Sequence, residues 1–240
     1  AQYLWVTPEE HGERQPVWNQ HSSIAILGNM RIDNRQELGH LLALDAQTLQ
    51  ETSDTRLVLE AYQHWGTQCV SRLLGDFAFA IWEPYSQSLF MARDPLGVKN
   101  LCFLQNPSCF AAASEMEHLL AFRGGITEIN QVKLAEYLAD FYYDQQESFF
   151  EGIQYLPPAH ALLVTRQETK QWCYWKVDPE LSLHYPSDEA YAEHFKDLLG
   201  KCVNDRLRSV GPIGISMSGG LDSSSVAALA SQLLPDSPAY

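Results

Sequence analysis

The sequence predicts a chain in two parts, a sheet-rich α+β region followed by the start of an α/β region. Three observations carry this prediction. Short runs rich in β-branched and aromatic residues, separated by turn residues, fill residues 1–178. A polar segment with flanking prolines at residues 179–187 is typical of a linker. Residues 188–240 then follow the order helix, short apolar strand, glycine-rich loop and helix.

The composition is that of a folded, strongly acidic protein. Hydrophobic residues make up 45% of the 240 positions and charged residues 19%, which allows a buried core. The net charge of −14 opposes binding to nucleic acid and to anionic lipid. No apolar run approaches the roughly 20 residues that cross a bilayer, so no membrane partner is expected. The five cysteines, odd in number and without a C-x-x-C pair, are interpreted as reduced core residues of a cytoplasmic protein.

Turn and cap signals place the elements of the first part. Strands are expected at residues 23–31 and 109–113. Residues 77–82 and 88–94, separated by Glu83-Pro84-Tyr85, are expected to form a hairpin, and a further hairpin is expected to turn at residues 167–168. Helices are expected after residues 33–35, after residues 52–54 with a stop at Gly66, after residues 114–115 and across residues 130–141. A polar break is expected at residues 43–48.

In the second part, Ser187 is expected to cap an amphipathic helix that reaches about Arg206. Residues 212–217 are predicted to form a short buried strand, and residues 222–234 a helix. The connection between them is the motif Ser218-Gly219-Gly220-Leu221-Asp222-Ser223. This order of strand, glycine-rich loop and helix is the strongest chemical signal in the chain.

The motif has the chemistry of a phosphate-binding loop. A helix N-terminus offers unpaired N–H groups and partial positive charge to phosphate oxygens. Gly219 and Gly220 allow a close approach of the backbone to a ligand, and Ser218 and Ser223 add hydroxyl donors. Asp222 would repel phosphate unless Mg²⁺ lay between them, so it is the predicted metal ligand.

Met217 and Leu221 complete the predicted phosphate-binding site. An ordinary glycine turn capped by serine is the alternative. The motif lacks the Gly-Lys-Ser/Thr ending of a Walker loop, which argues against transfer of the γ-phosphate as in ordinary kinases.

The motif resembles the pyrophosphate loop of ATP enzymes such as GMP, NAD and argininosuccinate synthetases, and the preceding part narrows the family. GDFAFAIW from Gly75, RDPLGVK from Arg93 and SEM from Ser114 resemble, in order and spacing, the glutaminase domain of asparagine synthetases. The resemblance implies a four-layer αββα fold of the N-terminal-nucleophile hydrolases for residues 1–178. It further implies the beginning of a parallel-sheet ATP-pyrophosphatase domain, adenine nucleotide α-hydrolase-like, in residues 188–240. ATP and Mg²⁺ are the implied cofactors, and a carboxylate is the implied substrate.

The same resemblance implies that the glutamine pocket is altered. Asn29 matches the oxyanion-hole asparagine of the family, and Asp54 matches the aspartate that binds the glutamine amino group. Met30 and Arg31 stand where a Gly-Glu pair is expected, and Tyr3 falls near the place of an arginine that binds the glutamine carboxylate. The pocket is therefore interpreted as degenerate.

No catalytic residue can be assigned from the sequence. Glutamine-using members carry a cysteine nucleophile at the mature N-terminus, whereas residue 1 is Ala here and the chain is expected to begin some way into the domain. Asp54 has a helix-cap role as an equal alternative. Arg93 and Asp94 are interpreted as a structural ion pair at a hairpin end, with a ligand role as the alternative.

The segments LGNMRIDNRQEL and SGGLDSSSVAALA look closest to lasso peptide cyclases, family members that do not use glutamine. That resemblance implies that ATP adenylates an Asp or Glu side chain of a precursor peptide, whose α-amino group then closes a macrolactam ring. A leader protease is the implied associated protein. Two alternatives stay open: a glutamine-hydrolysing asparagine synthetase and a non-catalytic nucleotide-binding scaffold. Because the ATP region stops at residue 240, these residues alone are expected to have negligible synthetase activity. The oligomeric state is also open, with a homodimer among the alternatives.

Overall fold

The computed structural model describes residues 6–21, 23–124, 128–141 and 143–234. The strands are β1 (Val17–Trp18), β2 (Ala25–Ile32), β3 (Gly75–Glu83), β4 (Ser88–Arg93), β5 (Cys102–Asn106), β6 (Cys109–Ala113), β7 (Ile153–Tyr155), β8 (His160–Val164) and β9 (Thr169–Cys173). The α-helices are α1 (Arg35–Leu41), α2 (Ala46–Glu51), α3 (Asp54–Trp65), α4 (Met116–Arg123), α5 (Gln131–Leu138), α6 (Asp188–Arg206) and α7 (Leu221–Leu233). Short 3₁₀ helices cover Pro8–Glu10 and Gly66–Arg72.

The strands form two antiparallel sheets. The larger sheet has the order β1-β2-β3-β4-β8-β9, and the smaller has the order β6-β5-β7. The segment FAFAI in β3 is apolar throughout because both faces of this central strand are covered. Phe77 and Phe79 point to one side of the sheet, whereas Ala78 points to the other.

Three apolar clusters separate four layers. The first lies between the larger sheet and helices α1 and α3, where the Tyr62 ring of α3 stacks on Phe90 of β4 with centroids 5.4 Å apart. The second lies between the sheets, and it includes Met91 of β4 and Phe103 of β5. The third joins the smaller sheet to α4 through buried Leu119. The order is helix, sheet, sheet, helix, so the predicted four-layer αββα fold is confirmed.

Most predicted elements of the first part are present. Ser53 caps α3 by accepting a hydrogen bond from the Arg56 N–H, and the helix ends at Gly66 with φ of 58°. The hairpins β3–β4 and β8–β9 are paired as expected. The break predicted at residues 43–48 is wrong in part, because the Asp45 carboxylate accepts from the Thr48 N–H at 2.8 Å and so begins α2.

The second part is far less buried than the first. Helix α6 begins after the cap residue Ser187 as predicted, and α7 begins one residue before its predicted start. Residues 212–217 are extended, but they belong to no sheet in the described chain and are largely exposed. The prediction of a buried strand there is therefore wrong, since no neighbouring strand within residues 6–234, as described, pairs with its peptide groups.

No helix of the described residues has the length and apolar character to cross a membrane. The interpretation of every cysteine as a core residue is wrong, because Cys173 and Cys202 are exposed while Cys69 and Cys102 are buried. The domain limits at residues 178 and 188 stay predictions.

Candidate functional site

Asp54 lies at the first turn of α3 and is fully buried. Its carboxylate does not cap its own helix, because Ser53 has that role. The helix-cap alternative for Asp54 is therefore wrong. Freed from capping, the carboxylate is directed towards the end of β2, where it accepts a hydrogen bond from the Ile32 N–H at 2.9 Å.

Two arginines complete the surroundings of the Asp54 carboxylate. Arg35 of α1 donates to Oδ1, and Arg208 donates to Oδ2 at 2.7 Å and to Oδ1 at 3.2 Å. With the Ile32 N–H, four donors serve a group that offers about four acceptor positions. The carboxylate therefore has its full set of hydrogen bonds inside the protein.

Both arginines are themselves anchored to backbone oxygens. Arg35 donates to Leu49 O and Thr52 O, each at 2.6 Å, and Arg208 donates to Ile32 O at 3.0 Å. The Glu9 carboxylate lies 3.0 Å from Arg208 and 3.9 Å from Arg35. Two cations thus face two anions, and this balance is what makes such a buried cluster tolerable.

The pKa of Arg208 reflects two opposing causes. Burial lowers it, but the hydrogen bonds and charges of Asp54 and Glu9 outweigh burial, so the pKa of Arg208 is raised. The guanidinium is therefore held in its charged form by its partners. Asp54 and Arg208 are separated by 154 positions in the sequence, which makes this a tertiary contact between the two parts of the chain.

A second group of charges surrounds the first. Arg206 lies 2.9 Å from Asp33 and also pairs with Asp76, and the Arg31 guanidinium donates to Asp205 O at 2.6 Å. Burial lowers the pKa of Arg31, and the neighbouring charge of Arg208 adds to that effect. Burial raises the pKa of Asp33 despite the charges of Arg206 and Arg31.

The other residues predicted for the pocket are placed differently. Asn29 is exposed in β2 opposite Ala78, and Met30 on the other face is buried in the core beside α3. Asp54 is joined to β2 through Ile32 instead of Asn29. Tyr3 lies outside the described residues. The pocket roles of Asn29 and Asp54 stay predictions.

A cleft of about 800 Å³ lies beside the buried cluster, between α1, α2 and the end of α6. Arg35, Arg208, Glu9 and Asp33 are among the residues that line it, whereas Asp54 is not. A ligand that entered the cleft would therefore meet the two guanidinium groups before it met the Asp54 carboxylate.

The phosphate loop, residues 218–223, is largely exposed and has no side-chain cap at the start of α7. Gly219 has φ of 78°, a conformation that favours glycine. Ser218 and Ser223 are joined by a hydrogen bond of 3.1 Å between their hydroxyls. The hydroxyl of Ser224 donates to Gly220 O at 2.6 Å, so it does not cap the N–H groups of the first turn.

The predicted roles of the loop residues in binding pyrophosphate and Mg²⁺ stay predictions. Met217, Leu221 and Asp222 are exposed, with Asp222 in the first turn of α7. Within the described chain, no group of three or more His, Cys, Asp or Glu side chains is arranged to hold a metal ion. A carboxylate at a helix N-terminus with open N–H groups fits Mg²⁺ shared with phosphate oxygens, because Mg²⁺ usually takes only one or two protein carboxylates.

Arg93 and Asp94 are structural, but they bond backbone groups rather than each other. Arg93 donates to Leu156 O at 2.8 Å and Lys99 O at 2.7 Å, and Asp94 accepts from the Val98 N–H at 2.9 Å. Burial lowers the pKa of Arg93, and the nearby Asp94 charge partly offsets this. They hold the turn after β4, so a simple ion pair is not their role.

The buried cysteines are poor nucleophiles. Burial raises the pKa of Cys69 to about 12 and the pKa of Cys102 to about 11. The thiolate is the reactive form, and it is scarce at neutral pH in both groups.

Reasoning from the sequence missed the two arginines that bind Asp54. Arg35 was assigned only to a helix start, and Arg208 was assigned no role. A partial signal existed, because the run NDRLR after the apolar residues of α6 carries two arginines, and buried carboxylates are often paired with cations. Pattern alone could not join two positions so far apart.

Comparison with known proteins now defines the family. Residues 4–175 match the glutamine amidotransferase domain, and residues 194–239 match asparagine synthase. The chain is 32% identical to asparagine synthetase [glutamine-hydrolyzing] 3 of Bacillus subtilis, covering 91% of this chain and 36% of the relative. It is 31% identical to the amidase chyE of Penicillium rubens, covering 92% of this chain and 32% of the relative. The chain spans about a third of the length of these relatives.

A solved structure of glutamine phosphoribosylpyrophosphate amidotransferase from B. subtilis, with ADP and GMP, is 17% identical. The alignment covers 94% of this chain and 48% of that one, with a TM-score of 0.44. The family assignment rests on the matched domains instead. The chain has a glutamine amidotransferase domain followed by an asparagine synthase segment, and it belongs to the asparagine synthetase family.

Proposed function

We propose that the protein is an ATP-dependent amide-bond-forming ligase that activates a carboxylate as an acyl-adenylate without hydrolysing glutamine. The observation that carries the second half of the proposal is the Asp54 carboxylate, whose acceptor positions are taken by Ile32, Arg35 and Arg208. The first half rests on the phosphate loop and on the match of residues 194–239 to asparagine synthase. The finer proposal is macrolactam formation in a lasso-type precursor peptide.

Electrostatics oppose the binding of a glutamine amino group at Asp54. The cluster of Arg35, Arg208, Asp54 and Glu9 is balanced in charge. An ammonium group could reach Asp54 only by displacing a guanidinium or by adding a third cation to a buried site. Either change leaves an uncompensated buried charge, which typically costs about 3–5 kcal/mol.

The proposed chemistry has two steps. In the first, a carboxylate oxygen attacks the α-phosphorus of ATP, the bond to the β-phosphate oxygen breaks, and pyrophosphate leaves. The loop N–H groups and the hydroxyls of Ser218 and Ser223 would hold the departing pyrophosphate. Mg²⁺ held by Asp222 would supply neutralisation of its charge. In the second, an amine attacks the acyl carbon, AMP leaves, and the amine loses a proton.

The test uses the full-length protein. ATP–pyrophosphate exchange is measured with aspartate and with precursor peptides that carry an acidic side chain, and glutaminase activity is measured in parallel. Exchange together with no release of glutamate supports the proposal. Exchange that depends on glutamine, or release of glutamate at a comparable rate, contradicts the glutamine-independent part. Absence of exchange with every acid supports a nucleotide-binding scaffold instead.

One observation favours a second candidate, a glutamine-hydrolysing asparagine synthetase. Asparagine synthetase [glutamine-hydrolyzing] 3 of Bacillus subtilis and the putative asparagine synthetase [glutamine-hydrolyzing] of Mycobacterium bovis are 32% and 30% identical to this chain. The two candidates differ in a measurable way. Aspartate, ATP and glutamine together would yield asparagine and glutamate in one, whereas the other would yield neither.

A further inference from the structure

We propose that the contact of Arg208 with Asp54 is a joint that fixes the phosphate loop against the first part, so that Arg208 and Asp54 are positioning residues for ATP. The inference rests on the proposed function for its consequence, because the loop is taken to bind pyrophosphate. The joint itself rests on contacts between two stretches of chain. One stretch is residues 205–210, which we call the connector, and residues 211–223, which we call the loop segment, follow it. The other stretch is residues 31–33 at the end of β2, together with nearby side chains of the first part.

The connector is bound to the first part along its length. Two of its side chains form ion pairs: Arg206 with Asp33 and Asp76, and Arg208 with Asp54 and Glu9. Its backbone also takes part, because the Val210 N–H donates to Val6 O at 3.1 Å. The Asp205 carbonyl accepts from Arg31 at 2.6 Å. Three consecutive residues at the end of β2 and just after it, numbers 31–33, contribute to these contacts. The connector therefore has one position relative to that strand.

Apolar packing contributes little to the same attachment. In α6 and α7, Val203 and Ala230 are the buried residues among those described, while Phe195 and Leu198 of α6 are at least half exposed. Helices of a globular protein are usually held by a buried apolar face. Within the described residues, the polar contacts of the connector therefore provide most of the attachment between the loop segment and the first part.

The joint also has the features of a specific contact rather than a loose surface pair. The Asp54 side chain has no exposed surface, and the Arg208 side chain is 19% exposed. Arg208 uses both terminal nitrogens on the one carboxylate, an arrangement with strong geometric demands. A lysine has a single point charge and cannot reproduce it.

The experiment compares Arg208→Met, Arg208→Lys and a matched control, Lys196→Met, in the full-length protein. Lys196 is an exposed cation of α6 that lies outside the joint. Two experiments are performed on each protein. One measures hydrogen exchange of residues 207–223, and the other measures the KM and kcat of ATP–pyrophosphate exchange. Arg208→Met is expected to speed hydrogen exchange in the connector and loop at least tenfold and to raise the KM for ATP. Arg208→Lys should recover little of either, and Lys196→Met should match the wild type.

Two results would overturn the joint. One is unchanged hydrogen exchange in residues 207–223 of Arg208→Met. The other is an equal increase across the core strands β2, β3 and β4, which would make Arg208 a general stabiliser of the fold. A double substitution, Asp54→Asn with Arg208→Met, provides a further check. Its effect on hydrogen exchange in residues 207–223 must be smaller than the sum of the two single effects, because the two side chains contact each other.

The same data separate the two proposals. If the wild type lacks ATP–pyrophosphate exchange but Arg208→Met still frees residues 207–223, the proposed function fails and the joint stands. If the wild type is active and Arg208→Met changes neither KM nor hydrogen exchange, the joint fails and the proposed function stands.

Discussion

The first part of the molecule and the phosphate loop treat their polar groups in opposite ways. In the first part, Asp54 is fully buried and four donors satisfy its carboxylate. In the loop, residues 218–223 are largely exposed, and the N–H groups at the start of α7 have no side-chain cap. The first arrangement stabilises structure, whereas the second leaves donors available to an incoming anion.

This difference indicates which polar groups can still bind a ligand. A saturated carboxylate has no acceptor position left for a ligand, although its family match predicts a binding role. In the loop, the Ser218 and Gly220 N–H groups donate to serine hydroxyls, while the start of α7 has no side-chain cap. The contrast supports a structural role for Asp54 and the proposed phosphate-binding role for the loop, and substitutions at either place test it.

The largest effect is expected for Asp54→Ala. Removing the carboxylate leaves Arg35 and Arg208 with one anion, Glu9, and should lower the free energy of unfolding by about 3–5 kcal/mol. Chemical unfolding measures it, and Glu60→Ala on the exposed face of the same helix is the control. A loss below about 1 kcal/mol, typical of a surface pair, would remove the contrast between the two regions.

The next effect concerns alkaline pH and the buried interior. Burial raises the pKa of Cys69 from 9.0 to about 12. A group with a raised pKa in the folded state contributes stability that is full below pH 9 and is lost as the pH rises towards 12. Between pH 8 and 11 its contribution to the free energy of unfolding should fall by roughly 2–3 kcal/mol.

Unfolding curves across this pH range test that expectation. Cys69→Ala should flatten the alkaline decline, whereas Cys202→Ala on exposed α6 should leave it unchanged. Equal slopes for Cys69→Ala and the wild type would show that the thiol does not ionise with unfolding in this range.

A smaller effect is expected for Gly219→Ala in the loop. The φ of 78° at this position places an added Cβ in a strained conformation, which costs about 1 kcal/mol. Because the loop is exposed, stability should change little while affinity for pyrophosphate falls about fivefold, as that energy implies. Isothermal titration with Mg²⁺ and pyrophosphate measures it. Unchanged affinity would argue that the loop does not hold the anion.

The smallest effect is expected for Arg206→Ala. Its side chain is 46% exposed, so solvent screens its pairs with Asp33 and Asp76, and the loss of stability should stay below about 1 kcal/mol. Salt should reduce the difference further. A loss as large as that of Asp54→Ala would mean that the outer pairs matter as much as the buried cluster.

Local signals in the sequence determined much of this protein. Ser53, Asn130 and Ser187 mark helix starts, Gly66 marks a helix end, and the β3–β4 hairpin follows from two apolar runs around Glu83-Pro84-Tyr85. These features depend on backbone groups a few residues away, so the chain order contains them. The phosphate loop is of the same kind, because its strand, glycines and helix are contiguous.

Only the tertiary structure decided which groups the Asp54 carboxylate contacts and whether residues 212–217 pair with another strand. Whether a carboxylate binds a ligand or a neighbouring arginine depends on what folding brings beside it, and Arg208 arrives from 154 positions away. A strand likewise needs partners for its peptide groups, and its apolar sequence cannot supply them. The sequence therefore determined the local elements and the family, while long-range packing determined which polar groups are satisfied and which stay open to chemistry.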